Sequence, residues 1–409
     1  MFMAPSTSTR ERRRRAWSGP GAGGVIATMS ALAIGALALR PQFIAIGPLA
    51  DRMQQDLGVR HWVIGLISTL PVLGMGLMAL PSSRLAARFG SRPAIGWSLA
   101  LLALAGILRS FAPGAIAIVL LTVPLAVGMG LANALLSYVV KERAAAHPML
   151  ATSLYAAGIQ LGATASSALA VPIADAGSGW RTTLLVVSLA AALSLVAWLM
   201  LIRPLPVAST AGRVARLPWR SGLAWRFVAL FVTNGLVYYG LSAWLPEALI
   251  EHGWSEGRAG VANALINAFA LVASLALAVL GDRFGSRRQY LLFACTLLTL
   301  GTMLVILAPG GSIVWACVMG LGNGTLFVAM MTLPLAAADD PSEVAAIAGM
   351  MLGVGYSAAA AAPLGLGGVR DLTGSFSTSL WLIAAMAVLA GLISATLSPG
   401  RIARGVARR

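Results

Sequence analysis

LAARFGSRP at residues 85–93 returns as LGDRFGSRR at residues 280–288, six of nine positions being identical at an offset of 195. Self-similarity at a fixed, long offset is the trace of a duplicated unit. Each copy follows the second apolar run of its half, counting from residues 23 and 225. Both copies therefore emerge on the same face of whatever layer the runs cross, which makes a parallel repeat; an inverted repeat puts them on opposite faces.

The layer is a bilayer. Of the 409 residues 58% are hydrophobic and 10% charged, with a mean hydropathy of +0.85, far too apolar for a soluble chain of this length. Uncharged runs such as WVIGLISTLPVLGMGLMALP (62–81) and TTLLVVSLAAALSLVAWLMLI (182–202) suit helices, since about 20 residues at about 1.5 Å each span a core of roughly 30 Å. Barrel strands facing lipid would alternate apolar and polar residues, and these runs do not. The expected fold is an all-α membrane protein of twelve helices in two six-helix halves. Span limits are placed at 23–50, 62–81, 93–111, 114–140, 149–174, 180–202, 225–250, 258–281, 289–308, 311–337, 343–368 and 376–398. The chain divides into an N-terminal tail (1–22), a first half (23–202), a linker (203–224), a second half (225–398) and a C-terminal tail (399–409). RPLPVASTAGRVARLPWRSG (203–222) is basic and proline-rich, as a short linker should be. RERRRR (10–15) before an apolar stretch resembles a secretory leader, but the stretch is too long for one and is kept as span 1.

Twelve spans put both termini on one side. That side carries 22 of the 29 basic residues: the two tails, the five from Arg203 to Arg226, and the groups Arg84/Arg88/Arg92, Lys141/Arg143 and Arg283/Arg287/Arg288. The opposite loops receive six, at Arg52, Arg60, Arg109, Arg181, Arg258 and Arg370. By the positive-inside rule both termini are expected in the cytoplasm. A net charge of +16 scattered between apolar runs makes no basic face for nucleic acid. Cys295 and Cys317 lie inside apolar runs and imply neither a disulfide nor a metal site. No H-E-x-x-H, C-x-x-C or G-x-S-x-G motif suggests an enzyme, and the one G-x-G-x-x-G (Gly19, Gly21, Gly24) has no strand before it. No cofactor is expected; the partners expected are the lipid bilayer and a small solute, with the chain a monomer.

One basic residue is left over. Arg40, in GALALRPQFIAIGPLADR (35–52), sits eleven residues before Asp51, or about 16 Å deep if Asp51 marks the interface. An arginine there costs roughly 2.5–3.5 kcal/mol or more unless it faces protein or water. All thirteen acids fall in tails, loops or helix ends, so no carboxylate is expected at its depth. Pro41 and Gly47-Pro48 loosen the helix and free carbonyls nearby. A fork of donors without a counter-ion suits an anion or a strongly polar acceptor. Other polar residues inside the spans are Asn133 with Ser137, Gln160 with Thr164 and Asn263 with Asn267, each pair on one helix face, and Asn234, Tyr238, Tyr239, Asn323 and Tyr356. The candidate binding set is Arg40, Asn133, Tyr155, Gln160, Asn234, Tyr238, Tyr239, Asn267, Asn323 and Tyr356. Amides and tyrosines also join membrane helices to one another, so part of this set is expected to be structural.

The repeated nonapeptide resembles the major facilitator superfamily signature G-x-L-A-D-R-x-G-R-[KR], found after spans 2 and 8. Asp282 and Arg283 match it, whereas Ala87 replaces the acid of the first copy. The resemblance implies transport by alternating access, with Arg88, Gly90, Arg92, Asp282, Arg283, Gly285 and Arg287 in loops that brace helices and govern switching. ALALRPQFIAIGPL, LSYVVKERA, TNGLVYYGLSAWLPEALIEHGWSE and GVGYSAAAAAPLGLGGVRDLTGSF are similar to the cyanate permease and 2-nitroimidazole transporter (CynX/NimT) branch. This likeness implies a small, flat, nitrogen-bearing solute, anionic or neutral, crossing a bacterial-type inner membrane. Glycines 128, 130, 320, 322 and 324 should let helices approach closely. Because His61, His147 and His252 all lie near loops, no buried histidine or carboxylate is expected to relay protons; facilitated diffusion, or coupling through the solute's own protonation, is expected instead. The alternative is efflux of amphipathic drugs, which predicts a large apolar cavity and indifference to Arg40.

Overall fold

The computed structural model describes residues 22–143, 148–202, 217–280, 286–338 and 340–397. Eleven helices among them are long and apolar enough to cross a membrane, and His61–Leu77 is a shorter apolar one. In chain order they fill the twelve expected places, and the described residues contain no strand. The protein is a multi-pass membrane protein.

Span 1 is broken into Ala22–Leu37, Pro41–Ile44, a tight turn at Gly47–Leu49, and Ala50–Leu57. Its last piece, ADRMQQDL, runs past the expected limit because the helix stops only at Gly58, whose φ of 62° suits glycine. Span 2 is His61–Leu77 continued by Ala79–Phe89, span 3 is Ser91–Ser110 and span 4 is Ala115–Arg143. Spans 5 and 6 are Pro148–Ala176 and Trp180–Leu201. In the second half, spans 7 to 9 are Gly222–Glu251, Glu256–Leu280 and Arg287–Leu307. Span 10 joins Ser312–Met331 to Leu333–Ala337, span 11 joins Pro341–Ala359 to Ala361–Thr373, and span 12 is Phe376–Thr396.

Packing repeats with the sequence. Span 1 packs on spans 5 and 6, span 4 on spans 2 and 3, and span 3 on span 6; span 7 packs on 11 and 12, span 10 on 8 and 9, and span 9 on 12. Adding six to each number in the first set gives the second. The principal contacts between halves, span 5 with span 8 and span 2 with span 11, exchange under the same rule. That is the pattern of two like halves about an axis along the membrane normal. The anticipated glycines lie where helices of the same half meet: a Cβ at Gly130 would strike the backbone of Gly74 in span 2, and one at Gly324 the backbone of Ala270 in span 8. Gly128, Gly320 and Gly322 likewise abut neighbouring backbone. Outward residues such as Leu193, Ile116 and Leu120 are 70%, 79% and 64% exposed, as a surface facing lipid tails should be.

Two placements differ from expectation. The first copy of the repeat is mostly helix: Leu85–Phe89 completes the helix Ala79–Phe89, and only Gly90, at φ 83°, turns the corner into span 3. Leucine, alanine and arginine are strong helix formers, so the glycine alone sets the break. Arg109, counted among the loop charges, is instead fully buried in the last turn of span 3.

Candidate functional site at mid-depth

Pro41 has no amide hydrogen to donate, and span 1 unwinds just before it: Ala38–Arg40 leave the helix, and Arg40 becomes the residue that precedes the short helix Pro41–Ile44. The break swings the Arg40 side chain into the seam between the halves. There its Nη1 donates to Gln160 Oε1 of span 5 at 2.5 Å and to Tyr238 Oη of span 7 at 2.8 Å. The guanidinium lies 4.9 Å from the Tyr238 ring centroid, a cation–π distance. Arg40 is 9% exposed, its Nε is buried without a hydrogen-bond partner, and none of the ion pairs among the described residues includes it. Its hydrogen-bond partners among the described residues are side chains from both halves.

The contacts continue into the second half. Tyr238 Oη donates to Asn267 Oδ1 at 2.8 Å, Gln160 Nε2 donates to the Asn267 carbonyl at 3.4 Å, and Asn267 Nδ2 donates to the Asn263 carbonyl at 3.3 Å. Tyr239 stands edge-on to Tyr238 at 5.0 Å and lies 6.5 Å from Tyr356, which in turn meets Phe231 at 4.9 Å. Phe43, three residues beyond Arg40, closes the ring cluster against Tyr239 at 5.8 Å. The result is one cation against a wall of aromatic rings, edged by amides.

Of the ten anticipated residues, Arg40, Gln160, Tyr238 and Asn267 form one bonded group, with Tyr239 and Tyr356 stacked beside it. Tyr155 donates to Asn133 Oδ1 at 2.9 Å, so those two form a pair of their own within the first half. Asn234, one turn before Tyr238, and Asn323 in span 10 are buried, and each Oδ1 lacks a hydrogen-bond partner. Thr164 turns to its own backbone, donating to the Gln160 carbonyl at 2.8 Å, while the Ser137 side chain lies outside those described. Asn263 serves the seam instead, donating to Ser167 Oγ at 3.1 Å and to the Ser242 carbonyl at 3.3 Å. Phe43 and Phe231 are additions to the expected set; the signal for Phe43 in the sequence is its i, i+3 spacing from Arg40 in a run that reads as one helix.

At the signature, Arg92 Nε donates to the Ile202 carbonyl at 2.5 Å and its Nη2 to the Leu199 carbonyl at 2.8 Å, capping the end of span 6. Trp198 Nε1 returns a bond to the Arg92 carbonyl at 3.1 Å. Arg88 is exposed with its guanidinium over Phe89, and Arg287 is exposed. Asp282, Arg283 and Gly285 lie outside the described residues. A buried carboxylate does exist, contrary to expectation: Glu247, one turn before the end of span 7, is 6% exposed and faces His61.

The Major Facilitator Superfamily model matches residues 26–363. The chain belongs to that superfamily. It is 29% identical to the 2-nitroimidazole transporter of Escherichia coli (strain K12) over 357 residues, covering 87% of this chain and 91% of the relative. It is also 29% identical to the cyanate transport protein CynX of the same organism over 365 residues, covering 88% and 94%. A crystal structure of a bacterial homolog to the human lysosomal transporter Spinster, in its inward-facing and occupied conformation, superimposes with a TM-score of 0.75 at 14% identity, covering 92% of this chain and 96% of that one. Solute transport across a membrane is thus the function class of this protein.

Proposed function

We propose that the chain carries a small, flat, nitrogen-bearing solute, anionic or strongly polar, across a bacterial-type inner membrane by alternating access, with Arg40 as its principal binding residue. The observation that carries this reading is a buried guanidinium with no carboxylate partner, held between the halves by neutral side chains. A carboxylate bound to Arg40 would make an internal ion pair; Gln160 and Tyr238 hold the cation in place without neutralising it. An anionic or electron-rich group can then take up the idle Nε, while the Tyr239 and Tyr356 rings cover a flat face. The unpaired Asn234 and Asn323 oxygens are acceptors suited to N–H edges. Cyanate-like and nitroimidazole-like solutes fit these terms and agree with the names of the two relatives. Both termini are assigned to the cytoplasm on the distribution of basic residues.

The test is a thermal-shift screen of the purified chain against cyanate, 2-nitroimidazole and uncharged aliphatic controls, repeated on Arg40→Gln. A ligand at about 100 times its Kd stabilises by about 2.7 kcal/mol, enough to read as a clear shift. Arg40→Gln should abolish that shift and lower uptake at least about tenfold, the loss of one charge-assisted contact, with membrane expression intact. Retention of both effects in Arg40→Gln, or stabilisation by large amphipathic cations alone, favours drug efflux and rejects the proposal.

A further inference from the structure

The ends of spans 1, 2, 7 and 11 farthest from the linker hold a second ionisable cluster, well away from Arg40 in sequence and in depth. His61 opens span 2. Its Nδ1 lies 2.8 Å from Asp371 Oδ1 in span 11, and its Nε2 lies 3.2 Å from Glu247 Oε1 in span 7. Asp371 also accepts the backbone amides of His61 at 3.2 Å and Trp62 at 3.0 Å, so it caps the N-terminus of span 2 across the seam between the halves. The imidazole is packed between Phe376, edge-on at 5.5 Å, and Trp244 at 5.9 Å. The three polar side chains are 17%, 8% and 13% exposed, in the order His61, Glu247, Asp371.

Stoichiometry makes this arrangement dependent on a proton. Each ring nitrogen faces a carboxylate oxygen, and an ionised carboxylate only accepts; both contacts are hydrogen bonds only when both nitrogens carry hydrogen, which is the imidazolium. In the neutral ring one nitrogen has a lone pair turned on a carboxylate. The other charges around the ring leave a net negative surround. Arg370 is already committed to Glu251 Oε1 at 2.7 Å, and the second Glu251 oxygen accepts the Phe376 amide at 3.0 Å. Span 1 contributes Asp51, close enough to act on Glu247, and the neutral Gln54, whose Nε2 donates to Glu247 Oε1 at 3.2 Å. Arg60, next to the ring on its own strand of chain, is exposed. Glu247 Oε2 is buried and accepts no hydrogen bond, so nothing else in the pocket neutralises that carboxylate.

We propose that His61, Glu247 and Asp371 form a protonation-controlled latch between the halves, closed when His61 is imidazolium and released when it loses its proton. Acid on that face holds the bundle shut there, and alkali lets it open. The latch needs no solute, so it stands or falls separately from the role given to Arg40.

The test uses the full chain in lipid nanodiscs, with spin labels at Ser178→Cys and Gly310→Cys and the native Cys295 and Cys317 changed to serine. Both label sites are exposed turns at the latch end, one in each half, and a side chain at Gly310 meets nothing within 4 Å. Between about pH 5 and about pH 8, the range over which histidine titrates, the distance distribution should gain a longer population as pH rises. In His61→Gln the two pH values should give the same distribution. Asp371→Asn, which keeps the shape and removes one charge, should move the midpoint about one unit toward acid, and it serves as the deciding variant if His61→Gln does not fold. An unchanged wild-type distribution, a pH response surviving in His61→Gln, or an unshifted midpoint in Asp371→Asn overturns the latch.

Discussion

Two buried arginines carry opposite assignments because their neighbours differ. Arg40 meets tyrosines and an amide from both halves, whereas Arg109 lies wholly within the first half, its Nη2 donating to the Gln42 carbonyl at 2.9 Å and to Gln42 Oε1 at 3.3 Å. That carbonyl is a casualty of the broken helix: the Ile46 amide, which would normally bond it, turns to Phe43 instead. Arg109 therefore satisfies a group left open by the second break in span 1, between Ile44 and Gly47. Its Nε and Nη1 are buried without hydrogen-bond partners, so Arg109→Met strands one acceptor but also removes a poorly satisfied buried cation. Because its hydrogen bonds stay within the first half, the variant should keep solute affinity within about twofold; loss of the ligand-induced thermal shift, as in Arg40→Gln, contradicts this. Arg40 was legible because a charge in mid-run has no benign explanation. Arg109 was not, because a charge at the end of an apolar run looks the same whether it points to water or inward, and the carbonyl it serves appears only when span 1 is folded.

At the scale of the elements, the repeated nonapeptide announced two like halves, and the matched pairing of spans shows why: each copy marks the same corner of the same six-helix unit. Its local form was less legible. Leu85–Phe89 carries helix-forming residues straight on from span 2, so the corner shrinks to Gly90, and Arg92 is delivered to the end of span 6. A guanidinium on the last carbonyls of a helix satisfies open acceptors and opposes the negative end of its dipole. Arg92→Ala should destabilise by about 1–2 kcal/mol through the lost charge-assisted bonds, visible as a lower melting temperature. Arg92→Lys, which reaches one carbonyl at a time, should recover only part of it. A full recovery by lysine means the charge alone acts, with no role for the forked contact. The amides of spans 5 and 8 taught the converse lesson: spacing placed Asn263 and Asn267 on one face, but only the assembled seam separates the residue that bonds Ser167 from the one that bonds Tyr238.

Among the described residues, the hydrogen bonds that cross between halves run from the depth of Arg40 toward the latch end. Thr69 Oγ1 donates to the Ala360 carbonyl at 2.7 Å, Asn263 reaches Ser167, and Arg52 Nε donates to Glu256 Oε2 at 2.7 Å while its Nη1 bonds Asp175 at the same distance. The described structure is thus zipped at that end, and the proposed alternating-access cycle requires the zipper to come undone once per turnover. The Arg52 ion pairs in it are weak: the Arg52 side chain is 29% exposed, and ion pairs so wetted contribute about 0–1 kcal/mol each. Many weak bonds are what a reversible gate requires, because the closed state must stay within a few kcal/mol of the open one. If opening is obligatory, a covalent tether across the zipper stops transport. Arg52→Cys with Glu256→Cys, bridged by a short bifunctional thiosulfonate, should arrest uptake in proteoliposomes and regain it on reduction, while a monofunctional reagent of the same chemistry leaves uptake running. Continued uptake through a fully bridged population means that solute passes without separation of the halves at this end, and alternating access about Arg40 is then excluded.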